Sequence, residues 1–256
     1  MTTFALQPAA QSKTDLSPPT GARLITPAEL SLADGLTIRY RRHWPLSFVE
    51  ENVARCRKAG KLYTLLVVGG DVKDPTKESH LRSLEQLINT LGYQYASDPL
   101  CWGVHCGLPP EGHSEELFWG KPMPSKAITA NKRIIATWGA AFPSQRMLLA
   151  GSANDPAAMR QLIAYGITAP DRFVYKINSL SAKTTTTGWV GTDLVVEAAK
   201  AGAGVGFEML CGSNESRFGG SWSQAMAKKA AIEKRAGKQS AYLAVYRGDL
   251  AKLGAK

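Results

Sequence analysis

The sequence predicts an α/β chain closed into one (β/α)8 barrel, a TIM barrel of a single domain. Strand-like and helix-like segments alternate from residue 36 to the C-terminus, the pattern of a parallel sheet with helical crossovers. The length, 256 residues, suits one barrel of about 250 residues. The marks of the competing open, doubly wound sheet are missing, with no GxGxxG after the first strand and no phosphate-binding P-loop. The glycine-rich "GAGVG" at 202–206 leads into a strand and reads as a turn.

The elements follow in order. "LTIRYRRHW" has β character, and "LSFVEENVARCRKAG" is an amphipathic helix ending at Gly60. "YTLLVVGGD" is a buried strand, followed by the helical "ESHLRSLEQLINTLG". "CWGVHCG" is a strand that enters a long loop before the helix "KAITANKRIIATWGAAF". The strand "RMLLAGSA" precedes "DPAAMRQLIAYG", a helix with Asp155 as its N-cap. "RFVYKINSL" is a strand, the polar "SAKTTTTGWVG" a loop, and "TDLVVEAAKAG" a helix. "GVGFEMLCG", the helix "SWSQAMAKKAAIEKRAG" and the strand "SAYLAVYR" complete the chain. These are seven strands, and "GARLITP" near the start is the candidate eighth. Residues 1–21, rich in Pro, Ser, Thr and Gln, are expected to form a flexible N-terminal arm, with 22–256 as the barrel domain.

Composition is that of an ordinary globular protein, 44% hydrophobic and 20% charged. No segment reaches the roughly 20 apolar residues needed to span a bilayer, so no membrane partner is expected. The N-terminal stretch has no basic region followed by an apolar one, which argues against a secretory signal. A cytoplasmic location is the expectation, or a virion for a phage-encoded chain. The net charge of +10 gathers in "RYRRH", "KKAAIEKR" and "AKLGAK". No zinc-finger or RRM signature accompanies it, so it reads as a solvated basic surface and nucleic acid is disfavoured. Attraction to an acidic polysaccharide remains open. Cys56, Cys101, Cys106 and Cys211 lack CxxC spacing and read as buried free thiols. A metal site from His105, Cys106 and Cys211 is not demanded by any spacing. No metal or organic cofactor is expected.

In a barrel the chemistry sits at the C-terminal ends of the strands. Asp71, His105, Asn178, Glu208, Tyr246 and Asp249 occupy such positions, with Trp44, Trp119, Trp189 and Trp222 in or near the same loops. Carboxylates beside tryptophans suit sugars, whose C–H faces stack on rings while hydroxyls bond to polar groups. Glu208 stands out because it interrupts the apolar "VGFEML", and burying a lone charge is costly. Glycoside hydrolysis needs two carboxylates across the scissile bond, and "GHSEEL" offers Glu115 and Glu116 as partners.

The order of "DGLTIRYRRHW", "NVARCRKAGKLYTLLVVGGD", "HSEELF", "RIIATWGAAFPSQRMLLA", "VGFEML" and "AYLAVYRGD" resembles the clan A (β/α)8 glycoside hydrolases, in their β-galactosidase-like and cellulase-like branches. The resemblance covers the chain from about residue 22 and rests on order and spacing. With "GARLITP" as strand one, it implies that Glu115 after strand four is the acid/base and Glu208 on strand seven the nucleophile. The family's acid/base glutamate follows an Asn, whereas Ser114 precedes Glu115 here. If "LTIRY" were strand one instead, Asp155 would take the acid position and Glu208 would fall on strand six.

The expected function is therefore cleavage of a poly- or oligosaccharide by a retaining mechanism. Glu208, Glu115 and Glu116 are the catalytic candidates, and Arg39, Trp44, Asp71, His105, Asn178, Trp189, Trp222 and Tyr246 the substrate-binding ones. The alternative is a degenerate barrel that binds carbohydrate or serves a structural role, such as a bacteriophage virion or tail module assembled into the particle. Each residue also has a structural reading: Glu208 salt-bridged to Arg39 or Arg41, His105 a hydrogen-bonded core histidine, the tryptophans core filler.

Overall fold

The computed structural model describes residues 1–6, 18, 24–68, 76–108, 123–150, 155–168, 172–180, 190–209 and 221–253. The side chains of residues 178, 179, 190, 191, 247 and 248 are outside that description. Eight parallel strands pair in chain order and close into a barrel: β1 Thr2–Leu6, β2 Gly35–Arg41, β3 Leu62–Val68, β4 Cys101–His105, β5 Arg146–Ala150, β6 Phe173–Leu180, β7 Gly204–Met209 and β8 Ser240–Tyr246. The helices between them are α1 Pro27–Ser31, α2 Ser47–Ala59, α3 Glu78–Tyr95, α4 Ser125–Ala141, α5 Pro156–Gly166, α6 Val190–Lys200 and α7 Trp222–Ala236. A 3₁₀ helix, Arg247–Leu253, follows β8. This is the predicted single-domain (β/α)8 barrel.

The first strand corrects the expected organisation. Thr2–Leu6 lies inside the stretch read as a flexible arm, and it pairs with β8 from Thr2 to Leu6 and with β2 from Phe4 to Leu6. Phe4, Ala5 and Leu6 are fully buried by that closure. Asp34 secures it from below, accepting from both the backbone N–H and the hydroxyl of Thr3 at 2.8 Å. "GARLITP" is not the eighth strand. Its described part leads into α1, where Ile25 is buried and Thr26 forms a capping box with Glu29. The strand count survives the exchange, since "CWGVH" remains fourth and "VGFEM" seventh. The alternative count fails, because the "RMLLA" strand is fifth and Asp155 caps α5 by accepting from the Ala158 N–H.

Helix ends fall where the sequence places them. Gly60 and Gly237 close α2 and α7 in the left-handed conformation, φ 60° and 64°, where a side chain is strained. The helices bury one stripe each, as α2 does with Phe48, Val49, Val53 and Cys56. The main core lies between this ring and the outer face of the barrel, and a second cluster fills the barrel itself. Among the described residues, no helix is long and apolar enough to cross a membrane.

Candidate active site at the C-terminal end of the barrel

Alternation along each strand decides which side chains enter the barrel. Glu208 on β7 does so, and only 3% of its side chain is exposed. Its two oxygens are held separately: Arg39 Nη2 on β2 donates to Oε1 at 2.6 Å and Lys176 Nζ on β6 donates to Oε2 at 2.7 Å. Arg39 Nη2 also donates to the Tyr246 hydroxyl on β8 at 3.0 Å, and the guanidinium lies 5.4 Å from that ring's centroid. Burial alone would push the Arg39 guanidinium down, but Tyr246 and Glu208 more than offset it and hold it above its ordinary value. The structural partner expected for Glu208, Arg39, is thus present, and Lys176 joins it.

Beneath this group runs a chain of hydroxyls. Tyr242 on β8 and Thr37 on β2 share a hydrogen bond of 2.8 Å, Thr64 on β3 donates to Thr37 at 3.0 Å, and Thr64 lies 3.4 Å from His105 Nε2 on β4. The His105 ring meets Tyr242 edge-on at 5.8 Å. Burial first, then the nearby Glu208 charge, raises the Tyr242 phenol above its usual range, so it stays a neutral hydrogen-bonding group. Gly206 makes room here, since a Cβ on it would lie 2.9 Å from the Lys176 Cβ and 3.1 Å from Val174. His105 also lines a small depression with Leu66, Val67, Gly107, Leu148 and Ala150 at the C-terminal ends of β3 to β5.

The remaining sequence candidates divide three ways. Arg39, Tyr246 and His105 gather around or below Glu208. Trp44 corrects the expectation of a sugar platform: it is 4% exposed, meets Phe48 edge-on at 4.9 Å, and accepts the Tyr40 hydroxyl at its carbonyl, so its ring is spent on the core. Trp222 is half-buried at the start of α7 and packs on the main core. Asn178 lies on β6, with its side chain outside the described residues. Asp71, Glu115, Glu116 and Trp189 also lie outside them.

Sequence reasoning missed Lys176. Its signal was the same as that of Glu208, a single charge inside the apolar strand "RFVYKIN". Cys56, Cys101 and Cys106 are free and buried, with burial pushing each thiol up to about 12. Cys211 lies outside the described residues. Among the described residues, no three His, Cys, Asp or Glu side chains group as metal ligands.

No protein-family model matches the chain, and no curated protein matches it. Solved structures do. A GH5-4 broad specificity endoglucanase from Clostridium acetobutylicum matches at 14% identity and TM-score 0.57, over 96% of this chain and 87% of that one. A cellulose synthase subunit Z from Clostridioides difficile matches at 10% identity and TM-score 0.56, over 95% and 90%. A D-allulose 3-epimerase from Methylomonas sp. matches at 9% identity and TM-score 0.58, over 96% and 83%. Likenesses this distant establish the barrel and are shared by glycoside hydrolases and sugar epimerases. None of the three is described as a virion component.

Proposed function

We propose that this barrel cleaves a poly- or oligosaccharide with retention, using Glu208 as nucleophile and Glu115, or its neighbour Glu116, as acid/base. The observation that supports this is the setting of Glu208, a carboxylate at the C-terminal end of β7 held by two cations at 2.6 and 2.7 Å. Opposite charges at that distance favour the ionised form a nucleophile needs, and they fix its orientation. In the first step a Glu208 oxygen bonds to the anomeric carbon and the bond to the leaving oxygen breaks as the acid donates its proton there. In the second, the same residue takes a proton from water, which displaces Glu208. The two carboxyls must stand roughly 5–5.5 Å apart. Glycoside hydrolases and sugar epimerases among the similar structures are both compatible with a sugar substrate, and at these identities either likeness shows the fold alone.

A second reading has its own support. Both Glu208 oxygens are already engaged, and a carboxylate so occupied suits a barrel that binds sugar without cleaving it. One experiment separates them. Glu115→Gln and Glu116→Gln each keep the side-chain shape and remove only the charge; the true acid/base variant should lose roughly 10²–10⁴-fold in turnover measured by reducing-end release, with an unchanged melting temperature. A 2-deoxy-2-fluoro glycoside should leave a covalent adduct on the peptide carrying Glu208. Wild-type turnover in both variants, or an adduct elsewhere, overturns the assignment, and sugar binding without product favours the second reading.

A further inference from the structure

The end of the barrel opposite the mouth is built from the turns that lead each helix into the next strand. Four of them, before β7, β8, β2 and β3, are two or three residues long and share one half of the rim, because β8 closes on β1. Turns this short keep that half level. Two carry nearly the same sequence, "RKAGK" at 57–61 and "KRAGK" at 234–238, each with its glycine left-handed. In both, the lysine after the glycine crosses to the preceding turn. Lys61 Nζ donates to the Ser31 and Ala33 carbonyls at 3.3 and 2.6 Å, and Lys238 Nζ to those of Gly202 and Ala203 at 3.2 and 3.0 Å. Two ammonium groups are thereby pinned to the face. Lys58, Lys200 and Lys234, in the last turns of α2, α6 and α7, are exposed, and among the described residues none of the three pairs with a carboxylate. The acids nearby are engaged: Asp98 with Arg57, Glu233 with Lys229 and Asp193 with Arg235. Asp34, the exposed carboxylate of this half, accepts twice from Thr3, and Asp171 lies outside the described residues.

Apolar side chains stand exposed among these lysines. Leu32, in the turn before β2, is 42% exposed, and Met1, beside β1, is 59% exposed. Tyr93, in the last turn of α3 further round the rim, is 93% exposed. An apolar tip ringed by lysines, with a tyrosine at the margin, has the make-up of a surface that rests in a lipid interface. A soluble polyanion would meet the lysines and leave Leu32 in water. Spanning a bilayer requires a long apolar helix, but resting on one does not. We propose that this half of the N-terminal face docks on an anionic lipid surface. Leu32 and Met1 enter the headgroup layer, Lys58, Lys200 and Lys234 meet the acidic headgroups, and the mouth with Glu208 faces the aqueous side. No residue of the Glu208 site takes part, so the docking goes beyond the glycosidase reading and holds whichever sugar chemistry the mouth performs.

The test is co-sedimentation of the full chain with phosphatidylcholine vesicles, with and without phosphatidylglycerol. Binding should require phosphatidylglycerol and weaken as salt rises. One lysine near such a surface is worth about a fivefold change in affinity. Lys58→Ala, Lys200→Ala and Lys234→Ala should therefore each weaken binding about fivefold, and the triple variant about a hundredfold. Lys132→Ala, on α4 in the other half of the ring, should change it by less than about twofold. Leu32→Ser should lower the fraction still bound at high salt, where the lysines are screened. Lys→Gln at the same positions serves if an alanine variant loses its melting transition. Equal binding to the two kinds of vesicle, no binding to either, or full binding by the triple variant overturns the proposal. So does release from the vesicles by an equal charge of polygalacturonate or duplex DNA, which would assign the lysines to a soluble polyanion.

Discussion

Toward the N-terminal ends of the strands the barrel axis is filled by rings, and toward the C-terminal ends by charges. At the lower end Phe4, Trp102 and Tyr242, from β1, β4 and β8, pack with centroids 5.1 to 5.8 Å apart, alongside Leu148, Val174 and Ala244. Arg146 closes this plug from outside, 4.7 Å over the Trp102 ring. Gly35 admits Phe4, since a Cβ there would lie 2.8 Å from that ring and 2.5 Å from the Leu62 carbonyl oxygen. At the upper end Arg39, Lys176 and Glu208 meet in the same cylinder, with Tyr242 reaching up to the hydroxyl chain between. The lower packing is non-directional and gains by excluding water. The upper network must be complete, because each member left alone is a buried charge. The comparison teaches where this chain has placed stability and where it has accepted a cost that function can use.

The sharpest way to break the contrast is Glu208→Leu. It leaves Arg39 and Lys176 facing each other without their shared carboxylate, and removing one partner of a buried pair costs about 3–5 kcal/mol. Urea unfolding should show that loss, with Lys176→Met in the same chain restoring part of it. A loss under about 1 kcal/mol would mean that the upper charges are solvated and not an interlocked network.

The lower end should respond more mildly. Phe4→Leu keeps most of the volume and loses the contacts with Trp102 and Tyr242, so about 1–2 kcal/mol is expected. Sugar affinity should not change, because Phe4 touches none of the charged group. A change in affinity equal to that of an Arg39 variant would show that the two ends act as one unit.

How much of this was readable before the structure depended on whether a feature is local. The alternation of strands and helices, the caps at Asp155 and Gly60, and the oddity of Glu208 in "VGFEML" are local patterns, and the alternation led to the right architecture. β1 was missed because "TFAL" is too short to show a period beside the Pro- and Gln-rich run after it. It becomes a strand through pairing with β8, some 240 residues away. Lys176 was missed for a related reason. β6 and β7 pair with Lys176 beside Gly206, which brings Glu208 two positions further on to the same interior face. That register is a property of the closed sheet and of neither strand alone. Trp44 misled because an aromatic ring near a strand end has the same local signature whether it faces the mouth or the core. Glu115 and Glu116 rest on the resemblance and on loop position, outside the described residues.

The smallest expected effect concerns acid, and it separates the interior from the rim beneath it. The lower rim is tied by carboxylates outside the barrel. Asp98 accepts from Tyr63, Arg57 and the Leu100 N–H, each at 2.9 Å, while Glu233 accepts from Lys229 at 2.8 Å and the Ser240 N–H at 2.7 Å. Burial alone would raise both acids, but these donors outweigh it, and each is held below its usual range. A carboxyl whose folded value is depressed adds stability above its unfolded value, about 3.9 for Asp and 4.3 for Glu, and loses it as pH falls through the folded value. The melting temperature should therefore hold from neutrality to about pH 5 and decline below pH 4. Asp98→Asn should lower it at pH 7, and the two curves should converge on acidification, because protonated Asp98 has lost the same interaction. Parallel curves down to pH 3 would show that Asp98 carries none of the acid sensitivity, and its part in tying the lower rim would need to be redrawn.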